Sequence, residues 1–315
     1  MYSQKQIIKI LLWIVALQLI LFLLYYLYIK FINIPNNSYI TPSSHVLTNQ
    51  VTPKVKKKSL PTSINFTEEI KCELTQKKLL EKLKRVSPKS VKDIVSIDNK
   101  FVKPILYTKS VPLASLSIEE KKQKFIDMIV PSILVAKQQL KYEREKVAKL
   151  ILQKDISDKD KEWLAQKRKK FQALNNYELY DKMESHPTSI IIAQAILESG
   201  WGTSRFFQKA NNVFGIWSFN SKEKRISATK KRGEKTIYLK KYQNMEASIY
   251  DYLLTLSKKD AYKEFREERL KTQDPYRLAD YLIKYSEDGK KYTKKLKDMI
   301  KSNKLAIYDK YELDL

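Results

Sequence analysis

The 315-residue chain contains one cysteine, two histidines and five glycines, and each scarcity removes a class of chemistry. Cys72 alone can neither close an internal disulfide nor complete a multi-cysteine metal cluster. His45 and His186 are too few and too far apart for a zinc site or a histidine-based triad, so no metal is expected. No G-x-x-x-x-G-K-[ST] or G-x-G-x-x-G run occurs, which removes the usual phosphate-cradling loops. No organic cofactor is indicated. Acidic side chains are also short: 35 Asp and Glu face 61 Lys and Arg, a formal charge of +26. Such an excess implies an anionic partner, whether membrane surface, nucleic acid or acidic polymer. No nucleic-acid-binding module is recognisable, so nucleic acid is not expected among the partners.

What is present begins with an apolar run from Ile10 to Ile29, interrupted only by Gln18. As a helix it would span roughly 30 Å, the thickness of a bilayer's hydrocarbon core. It ends in Tyr25, Tyr26, Tyr28 and Lys30, an interfacial belt without a small-residue cleavage site. An uncleaved, single-pass anchor is expected over 10–29. Lys5 and Lys9 place residues 1–9 in the cytoplasm and the bulk of the chain outside it, in a periplasm or beyond the cell. Residues 30–110 read first as a polar spacer rich in Asn, Ser, Thr and Pro, then as a basic stalk in which Glu68 to Val86 has helical spacing. A folded domain is expected over 111–315. Its pattern is mainly helical: Ser117 to Gln153, opened by a capping box with Glu120; Ser157 to Leu174; Ser189 to Glu198; Arg205 to Lys209; then four helices from Ala247 to Lys301. Between them Arg225 to Thr229 and Glu234 to Tyr242 read as two short strands.

One helix carries a chemical signal. Ile190 to Leu197 is apolar or alanine at seven of eight positions, the pattern of a helix buried nearly all round. Pro187 suits its first turn and Gly200 the left-handed residue that ends it. Glu198 then falls in the last turn, where the helix dipole disfavours a carboxylate. Burial beside Trp201 pushes the same way, raising the pKa. A carboxyl protonated near neutral pH is what a general acid for glycoside cleavage requires. The alternative is a solvated helix-end residue beside a tryptophan core plug.

Ala193 to Ser204, Asn211 to Trp217, Tyr242 to Leu253 and Tyr285 to Tyr292 occur in an order that resembles the bacterial glucosaminidases of glycoside hydrolase family 73, in particular their Bax-like branch. Glu119 to Pro131 and Asp160 to Leu164 extend the resemblance upstream, so that it covers about 112–302. It implies an α+β, mainly helical, lysozyme-like domain with a small β-hairpin lobe. The activity it implies is endo-β-N-acetylglucosaminidase on peptidoglycan, with Glu198 as the acid. A second carboxylate would come from the hairpin lobe, with Glu234 the first candidate and Glu223 its rival. Lysines around Glu234 would keep it ionised, suiting a base or electrostatic role. An inverting pair and catalysis by the substrate's own acetamido group both remain open.

Trp201, Phe214 and Trp217 offer flat faces for sugar rings or mass for a core. Gln194 and Asn212 have amides that can bond an acetamido group or simply support the fold. Tyr285 and Tyr292 belong to the segment resembling the family's C-terminal tyrosine motif. Ile216 and Trp217 depart from the residues many relatives carry there, and the hairpin is unusually rich in lysine. A wall-binding scaffold without turnover and a muramidase cutting the other glycan bond are the alternatives; the oligomeric state is open.

Overall fold

The computed structural model describes residues 66–228 and 236–315. The expected anchor over 10–29 lies outside the described residues, as do Glu234 and the start of the second expected strand. Among the described residues no helix is long and apolar enough to cross a membrane.

The described chain is a mainly helical α+β fold. Helix α1 (Phe66–Lys82) leads into strand β1 (Lys84–Val86), and β2 (Phe101–Val102) and β3 (Ile105–Tyr107) follow. The long α2 (Ile118–Leu152) is the axis against which α1 and much of the later chain pack. Ser117 opens it with the expected capping box: the Ser117 side chain accepts from the Glu120 amide at 3.2 Å, and the Glu120 carboxylate accepts from the Ser117 amide at 3.3 Å. Two orphan donors of the first turn are satisfied in this way. Helix α3 (Asp158–Phe171) is capped by Ser157 and stops at Gln172, which adopts a left-handed conformation.

Short α4 (Asn176–Lys182) leads to α5 (Thr188–Ser199) and α6 (Arg205–Ala210). Strands β4 (Arg225–Ser227) and β5 (Tyr238–Lys240) form the antiparallel hairpin, with Ile226 opposite Leu239. Helices α7 (Met245–Lys258), α8 (Lys263–Arg269), α9 (Pro275–Asp280) and α10 (Lys290–Ser302) complete the body, followed by a 3-10 turn, Leu305–Lys310, and β6 (Glu312–Leu313).

The main departure from expectation is the basic segment before residue 110. It is not a stalk over its whole length. β1 pairs in parallel with β3, and β2 pairs in parallel with the C-terminal β6. Ile94, Val102, Ile105 and Tyr107 are buried in the same core as Phe125, Ile129 and Ile133 of α2. Leu79 of α1 is buried as well, although Leu74 and Leu80 are exposed. The lysines of this segment lie on the outside of an apolar strip, so a domain boundary at 111 would cut through the core. The ninth helix also differs. It was expected to run from Tyr276 to Tyr285 but ends at Asp280, and successive turns through 281–289 redirect Tyr285 toward α10.

Candidate active site

Helix α5 carries the site and is held at both ends. Pro187 is its N-cap and makes no side-chain cap bond. The missing acceptor arrives from far along the chain: the Asp309 carboxylate accepts from the Ser189 amide and from the Ser189 hydroxyl, each at 2.7 Å. A carboxylate at this position satisfies orphan donors and complements the positive end of the helix dipole. At the other end Gly200 is left-handed, with φ 59°, and its amide bonds Ile196 at 2.9 Å. Trp201 follows, also left-handed. Gly202 has φ 77°, and a Cβ there would stand 2.9 Å from Phe125 and 3.0 Å from Phe207. The apolar face of α5 is wholly enclosed, from Ile190 through Ile196.

Glu198 is the exception on this helix, an exposed side chain at the end of a buried element. Protein mass around its carboxyl raises the pKa above the ordinary glutamate value, and a hydrogen bond from Tyr292 opposes that rise. The Tyr292 hydroxyl donates to Glu198 Oε1 at 3.3 Å. Glu198 is thus accessible at one edge and crowded at the other, as a group that must both meet a substrate and hold a proton should be.

Behind Tyr292 a polar chain runs into the core. Gln194 Nε2 donates to the Tyr292 hydroxyl at 3.0 Å, and Gln194 Oε1 accepts from the Tyr252 hydroxyl. Tyr252 lies 3.0 Å from His186 Nε2. Because Tyr252 spends its proton on Gln194, its oxygen accepts from His186, which assigns the Nε2–H tautomer. His186 Nδ1 has no partner among the described residues. Burial, with the positive charges of Arg269 and Lys137 nearby, holds the His186 pKa well below the histidine range, so the ring is neutral. Every donor in the chain points toward Glu198. Aromatic rings enclose it: Phe214 stacks on Tyr252 with centroids 4.1 Å apart, and Tyr285 stacks on Tyr292 at 5.4 Å. Burial and the Glu198 charge together raise the phenol pKa of Tyr292, Tyr285 and Tyr262.

The other expected residues divide. Gln194 and Asn212 are buried with their amides engaged inside the protein. Asn212 Nδ2 donates to the carbonyls of Ile216 and Lys240, and its Oδ1 accepts from the Ile216 amide. They support the site, and the sugar contacts expected of them give way to this role. Phe214, buried on Tyr252, is likewise a wall and not a platform. Trp201 is half-buried, edge-on to Phe125, with the Lys122 ammonium 5.4 Å over its ring. Trp217 is 42% exposed and Phe219 beside it 87%, which makes this aromatic pair the open apolar surface of the hairpin lobe.

Glu223 accepts from the Ser218 hydroxyl at 2.7 Å and lies 3.8 Å from the Lys240 ammonium. Glu234 lies outside the described residues. Tyr252 and His186 were missed by sequence reasoning. Tyr252 lay inside one of the resembling segments, whereas nothing in the local pattern of His186 signals its part. Among the described residues no group of His, Cys, Asp and Glu is placed to hold a metal.

The stretch that carries this carboxyl and its tyrosine partners matches a family at the level of sequence. Residues 174–305 match the family Glucosaminidase, described as mannosyl-glycoprotein endo-beta-N-acetylglucosaminidase. This part of the chain is therefore similar to glucosaminidase-family domains, a class of glycoside hydrolase. The chain is 30% identical to the protein Bax of Escherichia coli (strain K12) over 135 residues, 41% of this chain and 47% of Bax. It is 60% identical to the exo-glucosaminidase LytG of Bacillus subtilis (strain 168) over 38 residues, 12% of this chain and 13% of LytG. These matches span about half or less of each relative. Among solved structures, a peptidoglycan hydrolase from Sphingomonas sp. A1 is 24% identical with a TM-score of 0.33, over 46% of this chain and 87% of that one.

Proposed function

We propose that the chain is a peptidoglycan hydrolase, an endo-β-N-acetylglucosaminidase that cleaves the N-acetylglucosaminyl-β-1,4-N-acetylmuramyl bond with Glu198 as general acid. The observation that carries the reading is Glu198 itself: one accessible carboxyl of raised pKa, held by Tyr292, inside the stretch similar to glucosaminidase-family domains. Cleavage needs protonation of the leaving oxygen and support for an oxocarbenium-like centre. Glu198, protonated, delivers the proton to the glycosidic oxygen. As it ionises, the Tyr292 hydroxyl stabilises the carboxylate left behind.

The second carboxylate is assigned to the hairpin lobe, with Glu234 preferred. Glu223 is already bonded to Ser218 and faces Lys240, which suits it to organising the lobe. If neither hairpin carboxylate matters, the substrate's acetamido group is the remaining nucleophile. The exposed Trp217 and Phe219 rings are proposed as a sugar platform. The Ile10–Ile29 run is proposed as the inner-membrane anchor that leaves this lysozyme-like domain in the periplasm.

The test uses the full chain in detergent and its Glu198→Gln variant on purified peptidoglycan, with products reduced by borohydride and read by mass spectrometry. New reduced N-acetylglucosamine ends, absent with the variant, are expected. Reduced N-acetylmuramic ends would instead make the chain a muramidase. Binding without new ends would make it a scaffold, and single terminal sugars as products would replace internal by terminal cleavage.

A further inference from the structure

A concave site apart from Glu198 lies beside the hairpin. It is a cavity of ≈ 350 Å³, ringed by Lys109, Lys209, Lys224 and Lys241, and no acidic residue lines it. Among the described residues none of the four ammonium groups is paired with a carboxylate. Asp251, which Tyr242 reaches at the cavity wall, is already held by Lys240 at 2.8 Å. Four like charges around one cavity repel one another, and an anion between them relieves that repulsion.

The floor beneath them is braced. The Lys241 amide bonds the Lys224 carbonyl at 2.8 Å, and the Tyr242 amide bonds the Ala210 carbonyl at 2.8 Å. Asn211 ties a third segment in, since its Nδ2 donates to the carbonyls of Thr108 and Tyr242. Asn211 is only 7% exposed, and its Oδ1 has no partner among the described residues. Gln208 and Gln243 add further amides to the lining. A phosphodiester's oxygens can accept from these amides but offer no donor for the unpartnered Asn211 Oδ1, whereas a peptide backbone brings both donors and acceptors. Asn211 also adjoins Asn212, which pins the loop leading to Trp217, so the basin belongs to the same lobe as the exposed aromatic pair.

We propose that this basin binds the carboxylates of the short acidic peptides carried by the glycan strand. The proposal rests on the reading that the chain acts on peptidoglycan. It makes the substrate a peptide-bearing glycan: the aromatic pair takes the sugars and the lysines take the peptide.

The full chain in detergent is compared with a Lys224→Gln/Lys241→Gln variant. A fluorescently labelled acidic stem peptide is titrated first, then the same peptide with its carboxylates converted to amides. Wild type is expected to bind the acidic form, with affinity that falls as salt is raised. The variant, and the amidated peptide, are expected to bind roughly tenfold more weakly. Equal binding in all combinations would overturn the proposal. Displacement of the peptide by inorganic polyphosphate at equal or lower charge concentration would overturn it in favour of a phosphate polymer.

Cleavage separates this proposal from the one it rests on. On peptide-bearing glycan the variant should show a raised KM at unchanged kcat, and on peptide-free glycan it should match wild type. Peptide binding without cleavage of either glycan by wild type would sink the hydrolase reading and leave the basin standing. Cleavage of both glycans with equal KM would sink the basin alone.

Discussion

Removing the Glu198 charge should affect stability and activity in opposite directions. Its folded pKa is raised, so the native state holds this proton more tightly than the unfolded chain does. Below the unfolded glutamate pKa both states are protonated and Glu198→Gln should be near neutral. As pH rises through the folded pKa, the wild type must ionise a crowded carboxyl and loses stability that the amide keeps. Thermal melts of the two proteins at pH 4 and pH 8 test this: the variant's advantage in Tm should appear only at the higher pH, and a constant difference would refute it. Tyr292→Phe probes the same carboxyl from outside. Without the hydroxyl's donation the ionised form loses support and the pKa rises. The alkaline limb of the activity profile should move to higher pH, by up to roughly one unit. A limb that stays in place or moves to lower pH would show that Tyr292 does not govern Glu198's proton.

At the scale of the element, α5 depends on contacts outside itself. Asp309→Ala removes both bonds to Ser189 and should cost about 1–2 kcal/mol in denaturant unfolding. A loss within error would mean that the helix start is sufficiently held without its distant cap. Gly202→Ala tests the other end. A methyl group there meets two aromatic rings in a left-handed conformation, and a loss of about 1–3 kcal/mol is expected by the same measurement.

Elements such as α2 and α5 were legible because their signals are local. Ser117 with Glu120, Ser157, Pro187 and Gly200 mark ends within a few residues of the helices they bound. The polar chain was not legible, because Tyr252 follows His186 by 66 positions and Tyr292 follows Gln194 by 98. No period or spacing encodes such pairings. The reading of Glu198 followed from its neighbours on α5. The fate of Gln194 and Asn212 did not, because an amide's residue type is the same whether it faces a sugar or a carbonyl.

For the whole molecule, the correction before residue 110 has a practical consequence. A fragment beginning at 111 lacks Ile94, Val102, Ile105 and Tyr107, each buried in the common core. At about 1.5–3 kcal/mol for each large buried side chain, the loss is roughly 6–12 kcal/mol, enough to unfold many domains. Fragments 66–315 and 111–315 should therefore differ sharply in solubility and melting, and equal melting would return the segment to the role of a stalk. Strands of two or three residues left little trace in the sequence. Phe101–Val102 is too short for alternation to be read, and its partner Glu312–Leu313 lies at the far end of the described chain. The lysines around those strands dominated the local composition and concealed the four apolar residues beneath them.

The bond from Ser189 to Asp309 also sets an order in time. The two residues are 120 positions apart, so during synthesis the helix bearing Glu198 leaves the ribosome long before its cap exists. At ~5–20 residues per second, several seconds separate them. Through that interval the nascent chain carries Glu198 on a helix with an unfinished start, and strand β2 waits still longer for β6. Completion of the fold therefore waits for the segment through Leu313, which closes around residues made much earlier.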